Sequence, residues 1–361
     1  MHIQFITGFP GFISRQIIGE LIQQEKVENI YAVVLPAQFK MANEVAKELV
    51  KDSQSVNIHL IEGDITLPNL GMSEESLQEV RNQVTIVWHL AAIYDLAVPR
   101  DAAWKVNVHG TQMVNDFVRN LPKISRYMYF STAYVAGSRE GVLREDELIR
   151  PNSFKNYYEE TKFEAEVLVE KIKQFIPTTI IRPGIVRGHS VTGETIKFDG
   201  PYFFINMIDS LSKFPIIPYV GKSKAFINVV PIDFIIKAVV NCSENERAVG
   251  KTLHLTDPNP HPVEEVYRHM VCEVTGKLPR GRFPLSLAKA GLQIKFVRKM
   301  LGVEKETLDY LTWAAQFDTS IADEVLSNSD IVCADFIDSL PPMIAFYQLH
   351  KKDEHYHIQI K

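Results

Sequence analysis

Cysteine is scarce in this sequence of 361 residues, which contains only Cys242, Cys272 and Cys333. The three lie far apart, and their spacing fits neither a disulfide framework nor a metal-binding knuckle. This excludes the small, disulfide-stabilised class of secreted proteins, and we expect no metal site. Unpaired thiols are typical of a reducing compartment, so we predict the cytoplasm.

Long apolar runs are missing as well. No uninterrupted stretch reaches the roughly 18 residues that a membrane-spanning helix needs, so we expect no span. The first residues lack a basic region followed by a small-residue cleavage site, so we expect no export signal. The formal net charge is only −5, with acids and bases interspersed. This balance indicates neither nucleic acid nor an anionic membrane surface as a partner.

The composition is that of a globular protein. Hydrophobic residues make up 46% of the sequence and charged residues 23%, the usual proportions of a chain that buries a core. A length of 361 residues suits one large α/β domain with a smaller lobe, or two domains.

The first fifteen residues carry the strongest local pattern. Residues 2–6 are an apolar run typical of a buried strand, residues 7–13 contain a glycine turn, and a helical pattern follows. Gly8 allows a sharp turn, and Gly11 has no Cβ to keep a pyrophosphate away from the helix N-terminus. Ser14 stands where a third glycine is usual. A strand, a glycine turn and a helix in this order predict dinucleotide binding.

Strand-like and helical segments then alternate up to about residue 185. Further strands are expected at residues 29–35, 56–61, 84–88, 127–130 and 178–181. This alternation predicts an α/β fold, a doubly wound parallel sheet of the Rossmann type with helices on both faces.

The domain organisation follows from where the alternation stops. We predict an NAD(P)-binding Rossmann domain over residues 1–190, to which strands near residues 226–232 and 253–255 return. A smaller, mainly helical C-terminal substrate lobe is expected over residues 191–350. Residues 351–361 form a polar tail that we expect to be loosely held.

A tyrosine and a lysine four residues apart carry the predicted chemistry. Tyr158 and Lys162 lie in a helical segment, so their side chains share one face. The reference pKa of tyrosine is about 10, and a neighbouring ammonium group is expected to lower it by favouring the phenolate. Thr132, at the carboxyl end of a neighbouring strand, is placed to hold a carbonyl by a hydrogen bond. Together they predict hydride transfer to a carbonyl whose oxygen Tyr158 protonates.

Cofactor choice stays open on these residues. The second strand ends in Leu35, Pro36 and Ala37, which supply neither the acidic residue of NAD-specific units nor the arginine of NADP-specific ones. Lys40 is either a partner for a 2′-phosphate or a solvated helix residue. Asp64, just past the third strand, either accepts a hydrogen bond from adenine or opens a turn.

The order of the motifs resembles that of the extended short-chain dehydrogenase/reductases, over about the first 260 residues. The matching segments are residues 7–13, His89-Leu90-Ala91-Ala92, Asn107 to Thr111, Ser131-Thr132, Tyr158 with Lys162, Arg182-Pro183-Gly184, and the later segments 226–233 and 254–258. A histidine at position 89 is expected to be packed rather than catalytic.

The resemblance implies a role for each matching residue. Thr132, Tyr158 and Lys162 would be catalytic, with Asn107 either a fourth member or a helix-packing residue. The residues implied to bind the cofactor are Thr7, Gly8, Gly11, Phe12, Ile13, Asp64, Ile65, Leu90, Ala91, Ala92, Ser131, Lys162, Pro183, Gly184 and Ile185.

Within the superfamily, residues 130–135 and 335–340 look most like the fatty acyl-CoA reductase, thioester reductase and male-sterility branch. That branch reduces acyl thioesters with NADPH, so the resemblance favours NADP(H) over NAD(H) and an acyl thioester as the small-molecule substrate. The apolar block at residues 201–220 would then line an acyl channel; the alternative is that it forms the core of the small lobe.

Other activities remain open. A nucleotide-sugar epimerase or dehydratase would need basic residues for a diphosphate, and the candidates are Lys222, Lys224, Arg280 and Arg282. A hydroxysteroid-type dehydrogenase is a further alternative. A regulatory NAD(P) sensor would be expected to lack part of the catalytic set, which this chain keeps. Family members often dimerise, so a homodimer is a family expectation.

Overall fold

Seven parallel strands form the central sheet in the computed structural model, which describes residues 2–53, 55–94 and 98–358. Met1 and residues 359–361, at the two ends of the predicted domains, lie outside this range. In chain order the strands are β1 (His2–Thr7), β2 (Val27–Val34), β3 (Asn57–Glu62), β4 (Ile86–His89), β5 (Arg126–Phe130), β6 (Gly141–Leu143), β7 (Thr178–Pro183), β8 (Ile185–Arg187), β9 (Tyr219–Val220), β10 (Val229–Pro231), β11 (Thr252–Leu255), β12 (Arg282–Phe283) and β13 (Ala315–Phe317).

The α-helices alternate with these strands in the first half of the chain and dominate the second. They are α1 (Phe12–Gln23), α2 (Phe39–Val50), α3 (Glu74–Gln83), α4 (Arg100–Ala103), α5 (Gly110–Arg119), α6 (Tyr157–Ile172), α7 (Tyr202–Leu211), α8 (Ile232–Glu244), α9 (Val263–Thr275), α10 (Leu285–Leu292), α11 (Lys295–Leu301), α12 (Ser320–Leu326) and α13 (Leu340–His350). A π-helical turn, Trp104–His109, joins α4 to α5.

The strand order in the main sheet is β11-β7-β5-β4-β1-β2-β3, and every pairing is parallel. Strand β1 lies between β2 and β4, so the chain reverses its direction of winding there. Ligands of open α/β sheets bind in the crevice at the carboxyl ends of the strands at such a point. The predicted Rossmann-type fold is confirmed.

Helices cover both faces of this sheet because the strand residues alternate between them. Ile6 and Trp88 face a core that includes buried residues of α1, α2, α8 and α12, whereas Phe5 and Val87 face one formed with α3, α5 and α6. The strands are buried on both faces, which is why they appear in the sequence as continuous apolar runs.

The C-terminal half forms a second core around α7, α9 and α13. Tyr202, Ile205 and Ile208 are buried there. Most of the apolar block predicted at residues 201–220 is therefore packed within α7 and its neighbours.

Two features differ from expectation. The strand predicted near residues 226–232 pairs with β8 in a separate two-stranded sheet. The chain leaves the main sheet at Gly184, which separates β7 from β8. Of the two strands expected to return, β11 alone lies at the edge of the main sheet. The described part of the tail is packed rather than loose. Phe198 N donates to Tyr356 O at 2.8 Å, and the two rings stack at 5.2 Å.

Candidate active site

The glycine turn joins β1 to α1 at the crevice. Gly8 has a φ of +87°, and a Cβ there would lie 2.7 Å from Ala91 N. At Gly11 a Cβ would lie 2.7 Å from Gly8 O. The turn is therefore closed on itself and pressed against the residues that follow β4, and both positions require glycine.

The start of α1 fits a dinucleotide pyrophosphate. Its N-cap is Gly11, and no side chain caps the first turn, so the N–H groups at Phe12 and Ile13 have no side-chain acceptor. Such a helix N-terminus is a site for phosphate oxygens. Ser14, in place of the third glycine, donates its hydroxyl to Gly8 O at 3.0 Å and to Gly11 O at 2.9 Å. The serine thus ties the turn together from the helix side.

Thr7 supports the crevice from below. Its side chain is fully buried, pairs with His89 Nδ1 at 2.8 Å and accepts from Ala91 N at 3.3 Å. His89 also contacts Thr111 Oγ1 at 3.0 Å, and burial, aided by the charge of Lys162, lowers its pKa to about 3. His89 is neutral and packed, as expected. The side chain of Thr7 links the ends of β1 and β4, and its contact with a cofactor stays a prediction.

The residues assigned to the adenosine side lie along the same edge. Asp64 Oδ1 accepts from Thr66 N at 2.8 Å, so this carboxylate opens a turn, and its contact with adenine stays a prediction. Ile65 is buried against Gly110. Beyond β4, Leu90 and Ala91 are half-buried, and Ala92 is exposed to the crevice edge.

The predicted catalytic residues come together at the carboxyl end of β5. Asn156 caps α6, its Oδ1 accepting from Glu159 N at 2.9 Å, which places Tyr158 in the first turn of the helix. Thr132 lies beside Tyr158, close enough for its hydroxyl to act on the pKa of the tyrosine. One turn later, Lys162 Nζ donates to Phe130 O at 2.5 Å and to Tyr129 Oη at 3.2 Å.

Burial dominates the electrostatics of this set. It raises the pKa of Tyr158 well above its usual value, and the hydroxyl of Thr132 only partly offsets this. It also lowers the pKa of Lys162 to about 7, against the opposing charge of Glu166. The direction for Tyr158 is opposite to the depression expected from the sequence, because burial has the largest effect and the charge of Glu159 adds to it. A tyrosine that keeps its proton is suited to act as a general acid.

A buried acid behind the lysine was missed by the sequence analysis. Glu166 is fully buried; it accepts from Arg182 Nε at 2.9 Å, from Arg182 Nη2 at 2.6 Å, and from the Ser131 hydroxyl. Ser131 therefore turns its hydroxyl away from the crevice. The available signal was spacing, since Glu166 follows Lys162 by four residues and shares its helix face.

Arg182 also holds a loop over the sheet edge. Its Nη1 donates to Glu145 O at 3.3 Å and its Nη2 to Glu147 O at 2.9 Å. The buried carboxylate of Glu145 accepts from His254 N at 2.8 Å and from Ala322 N at 3.1 Å. Burial raises the pKa of Glu145 to about 7.

The side chain of Asn107 makes the contacts expected of a packing residue, the alternative to a catalytic role. It lies in the π-helical turn and is 1% exposed. Its Oδ1 accepts from Ile93 N at 2.8 Å, and its Nδ2 donates to Thr161 Oγ1 at 3.0 Å. Asn107 thus fastens the segment that carries Tyr94, whose ring meets that of Tyr158 edge-on at 5.1 Å. Its contacts are those of a positioning residue.

The segment assigned to the nicotinamide follows β7. A Cβ at Gly184 would lie 2.6 Å from Asn228 Oδ1, and Ile185 N donates to Asn228 O at 3.0 Å. Asn228 also pairs through its side chain with the backbone of Asp257, at 2.8 and 3.1 Å. Pro183, Gly184 and Ile185 are therefore held on a fixed backbone.

The C-terminal lobe reaches the catalytic helix. Tyr310 Oη donates to Glu159 Oε1 at 2.8 Å, immediately beside Tyr158 in sequence, and its ring packs on Tyr134 at 5.3 Å. Lys155 Nζ lies 3.8 Å from the centre of the Trp313 ring. Within the described residues, no group of three or more histidine, cysteine or acidic side chains is arranged to hold a metal ion.

Comparison with known proteins fits this geometry. The sequence profile described as "Male sterility protein", an NAD-binding family, matches residues 6–239. The chain is 27% identical over 275 residues to the fatty acyl-CoA reductase wat of Drosophila melanogaster, covering 65% of this chain and 53% of that protein. It is 26% identical over 276 residues to the L-2-aminoadipate reductase of Saccharomyces cerevisiae, covering 68% of this chain and 19% of that protein. The chain thus spans about half or less of these relatives.

A solved structure extends the likeness over nearly the whole fold. The terminal R domain from the myxalamid PKS-NRPS biosynthetic pathway superposes with a TM-score of 0.81 at 23% identity, covering 98% of this chain and 91% of that one. The predicted resemblance to the reductase and male-sterility branch is confirmed. Because the profile matches more than half of the sequence, the chain belongs to the male sterility protein family, an NAD-binding family.

Proposed function

We propose that this chain reduces an acyl thioester to an aldehyde with NADPH, and that Tyr158 is the proton donor. The observation that carries the proposal is the meeting of Thr132, Tyr158 and Lys162 beside the glycine turn at one edge of the sheet. The proposal agrees with the printed name of the relative from Drosophila melanogaster, a fatty acyl-CoA reductase.

Each residue has a distinct role in the proposed reaction. Thr132 holds the substrate carbonyl beside Tyr158, and the tyrosine hydroxyl protonates the carbonyl oxygen as the carbon is reduced. A reduced nicotinamide, when bound, supplies the hydride. Loss of the thiol from the reduced carbon then leaves the aldehyde. The side chain of Lys162, anchored on Phe130 O, places a positive charge behind the tyrosine whenever it is protonated.

The proposed preference for NADPH rests on charge near the adenosine side. Strand β2 is followed by Leu35 and Pro36, so no carboxylate is present there to bind ribose hydroxyls or repel a 2′-phosphate. Arg15 is held at the glycine turn, its Nε donating to Pro10 O at 2.7 Å, and Lys40 is exposed in the first turn of α2. Both cations favour the phosphorylated cofactor.

The test is a reduction assay with acyl-CoA thioesters of increasing chain length. We expect NADPH absorbance to fall while free thiol and aldehyde appear in matching amounts. The same protein is offered UDP-sugars with NAD as the contrasting reaction. Turnover of a UDP-sugar without any reduction of a thioester or an aldehyde would contradict the proposal.

A further inference from the structure

One segment of the C-terminal lobe departs from the charge balance of the chain. Residues 274–303, named here the basic segment, contain no aspartate or glutamate, although the whole sequence has a net charge of −5. Its seven cations are Lys277, Arg280, Arg282, Lys289, Lys295, Arg298 and Lys299. A run of this composition is an electrostatic footprint for an anionic partner.

The same segment exposes large apolar side chains. Helix α11 buries none of its residues, and α10 buries only Leu292. Phe296 is 74% exposed. Other large apolar residues of the segment that are more than half exposed are Leu278, Leu287, Ile294 and Met300. One side of these helices packs on the core through residues such as Leu285, Leu292 and Leu301, and the apolar side chains left exposed point to a partner outside the chain.

The exposed groups belong to one region around the C-terminal end of α7. Ser210 Oγ donates to Met300 O at 3.2 Å, and Lys277 Nζ donates to Phe214 O at 3.2 Å. Phe214 and Ile216, which follow α7, are each 57% exposed and extend the apolar surface.

Some cations of the basic segment pair with acids that lie outside it. Arg282 pairs with Glu264 at 2.7 Å, and Lys289 pairs with Asp309 at 2.6 Å. Among the described residues, Lys295 and Lys299 form no ion pair, and both are exposed beside Phe296 and Met300. The outer face of α11 therefore combines unneutralised ammonium groups with apolar side chains.

We infer that the basic segment is a membrane-docking surface that binds an anionic lipid bilayer from one side. Short helices with lysine or arginine beside phenylalanine, leucine and methionine insert their apolar groups at the level of the lipid headgroups, while their cations contact the phosphates. No helix among the described residues has the length and apolarity that crossing a bilayer requires.

A bilayer fits the surface better than an acidic protein does. The apolar residues are spread over α10, α11 and the turns around α7 rather than gathered in a groove, and a fluid interface accommodates scattered side chains. The surface also adjoins a small apolar pocket of about 30 Å³, because β12 pairs with β9 and Tyr219 of β9 lines that pocket with Phe204 and Met270. A docked bilayer would lie next to this opening.

The test is flotation of the purified chain with lipid vesicles. We expect binding to vesicles of phosphatidylcholine mixed with phosphatidylglycerol, little binding to phosphatidylcholine alone, and release by salt. Phe296→Ser is expected to weaken binding by about tenfold or more, because one buried phenylalanine side chain is lost from the interface. Lys295→Glu combined with Lys299→Glu is expected to weaken it at least as much.

Matched controls separate the surface from general effects. Phe175→Ser removes a phenylalanine of similar exposure, 76%, after α6 and should leave binding unchanged. The double variant Lys47→Glu with Lys51→Glu reverses two exposed charges at α2 and should also leave binding unchanged. The inference is overturned if the chain fails to bind anionic vesicles, or if Phe175→Ser weakens binding as much as Phe296→Ser. It is also overturned if charge reversal abolishes binding while Phe296→Ser has no effect, because the chain would then adsorb to anionic vesicles by charge alone, without inserting apolar side chains. Vesicle binding needs no cofactor, so its outcome is independent of the proposed reaction.

Discussion

Tyr158 is the residue on which the proposed chemistry depends. Replacing it with phenylalanine removes the proton donor while keeping the ring that meets Tyr94. We expect Tyr158→Phe to lower kcat by about 100-fold to 10,000-fold, the usual contribution of a general acid. Binding of NADPH should persist, since the glycine turn is untouched. Steady-state assays and a parallel cofactor titration measure both quantities.

The neighbouring tyrosine supplies the control. Tyr157 is 45% exposed and differs from Tyr158 by one position on the helix, so Tyr157→Phe should retain activity. Equal losses in the two variants would show that the hydroxyl of Tyr158 has no special role.

A substitution of Glu166 tests which group sets the pKa of Lys162. Lys162 faces Glu166 on its own helix, Tyr129 on β5 and His89 on β4. The carboxylate raises the pKa of Lys162 against burial, which lowers it to about 7. In Glu166→Gln that pKa falls further, so the loss of kcat/KM that follows deprotonation of the lysine should begin at lower pH. The measurement is the pH profile of kcat/KM.

Stability must be followed in the same variant. Leaving the Arg182 guanidinium unpaired is expected to destabilise the fold by about 3 kcal/mol, measured by urea unfolding. Glu166→Asp keeps the charge, so its pH profile should stay closer to that of the parent protein even if its stability falls. An unchanged profile in folded Glu166→Gln would refute the tuning role.

At the residue scale, the spacing of residues in the sequence predicted candidate site residues but not how deeply their side chains are buried. Thr132, Tyr158 and Lys162 were found because a fourfold interval and a strand end are visible in the sequence. The direction of the tyrosine pKa was wrong, since sequence shows a neighbouring charge but not the burial that raises the pKa. The side chains of Thr7 and Asn107 make hydrogen bonds across the fold that the sequence does not show, and their roles toward cofactor and substrate stay predictions.

At the scale of elements, the loop held by Arg182 gives a prediction about stability and pH. Burial raises the pKa of Glu145 from 4.5 to about 7, whereas the unfolded chain keeps the lower value. The folded state then binds more protons between these two values, so its stability falls as pH rises through this window, by about 3 kcal/mol in total. Glu145→Gln cannot ionise and should flatten the dependence of Tm on pH.

Glu147, in the same loop, is the control for Glu145. Glu147 forms a half-exposed ion pair with Arg139, and Glu147→Gln should leave the slope of Tm against pH unchanged. A parent protein whose Tm does not fall with pH in this window would contradict the assignment to Glu145.

Elements of the main sheet were predicted well because strands buried on both faces appear as apolar runs. The second strand was expected at residues 29–35 and spans Val27–Val34. Pairing was not predictable from such runs: Val229–Pro231 is as apolar as β11, yet it joins β8. The choice depends on the break at Gly184, whose effect is visible only in three dimensions.

At the scale of the whole molecule, the two lobes meet at the catalytic helix through Tyr310 and Glu159. The motifs of the sequence predicted the strands and helices of the Rossmann domain. For the C-terminal lobe the sequence predicted only that it is mainly helical, because no motif there marks where single helices begin and end. We expected acidic and basic residues to be interspersed along the chain, and the basic segment departs from this. The net charge of the whole chain does not show such a local excess of cations. That failure is what the vesicle experiment addresses.

The central claim is that the glycine turn binds a nicotinamide dinucleotide and prefers NADPH. Calorimetric titration with NADPH and NADH in parallel tests it most directly. Gly11→Ala is the matched variant, because its Cβ would lie 2.7 Å from Gly8 O and displace the turn. We predict that NADPH binds more tightly than NADH and that Gly11→Ala abolishes the heat of binding of both cofactors. Absence of binding by either cofactor to the parent protein would contradict the account.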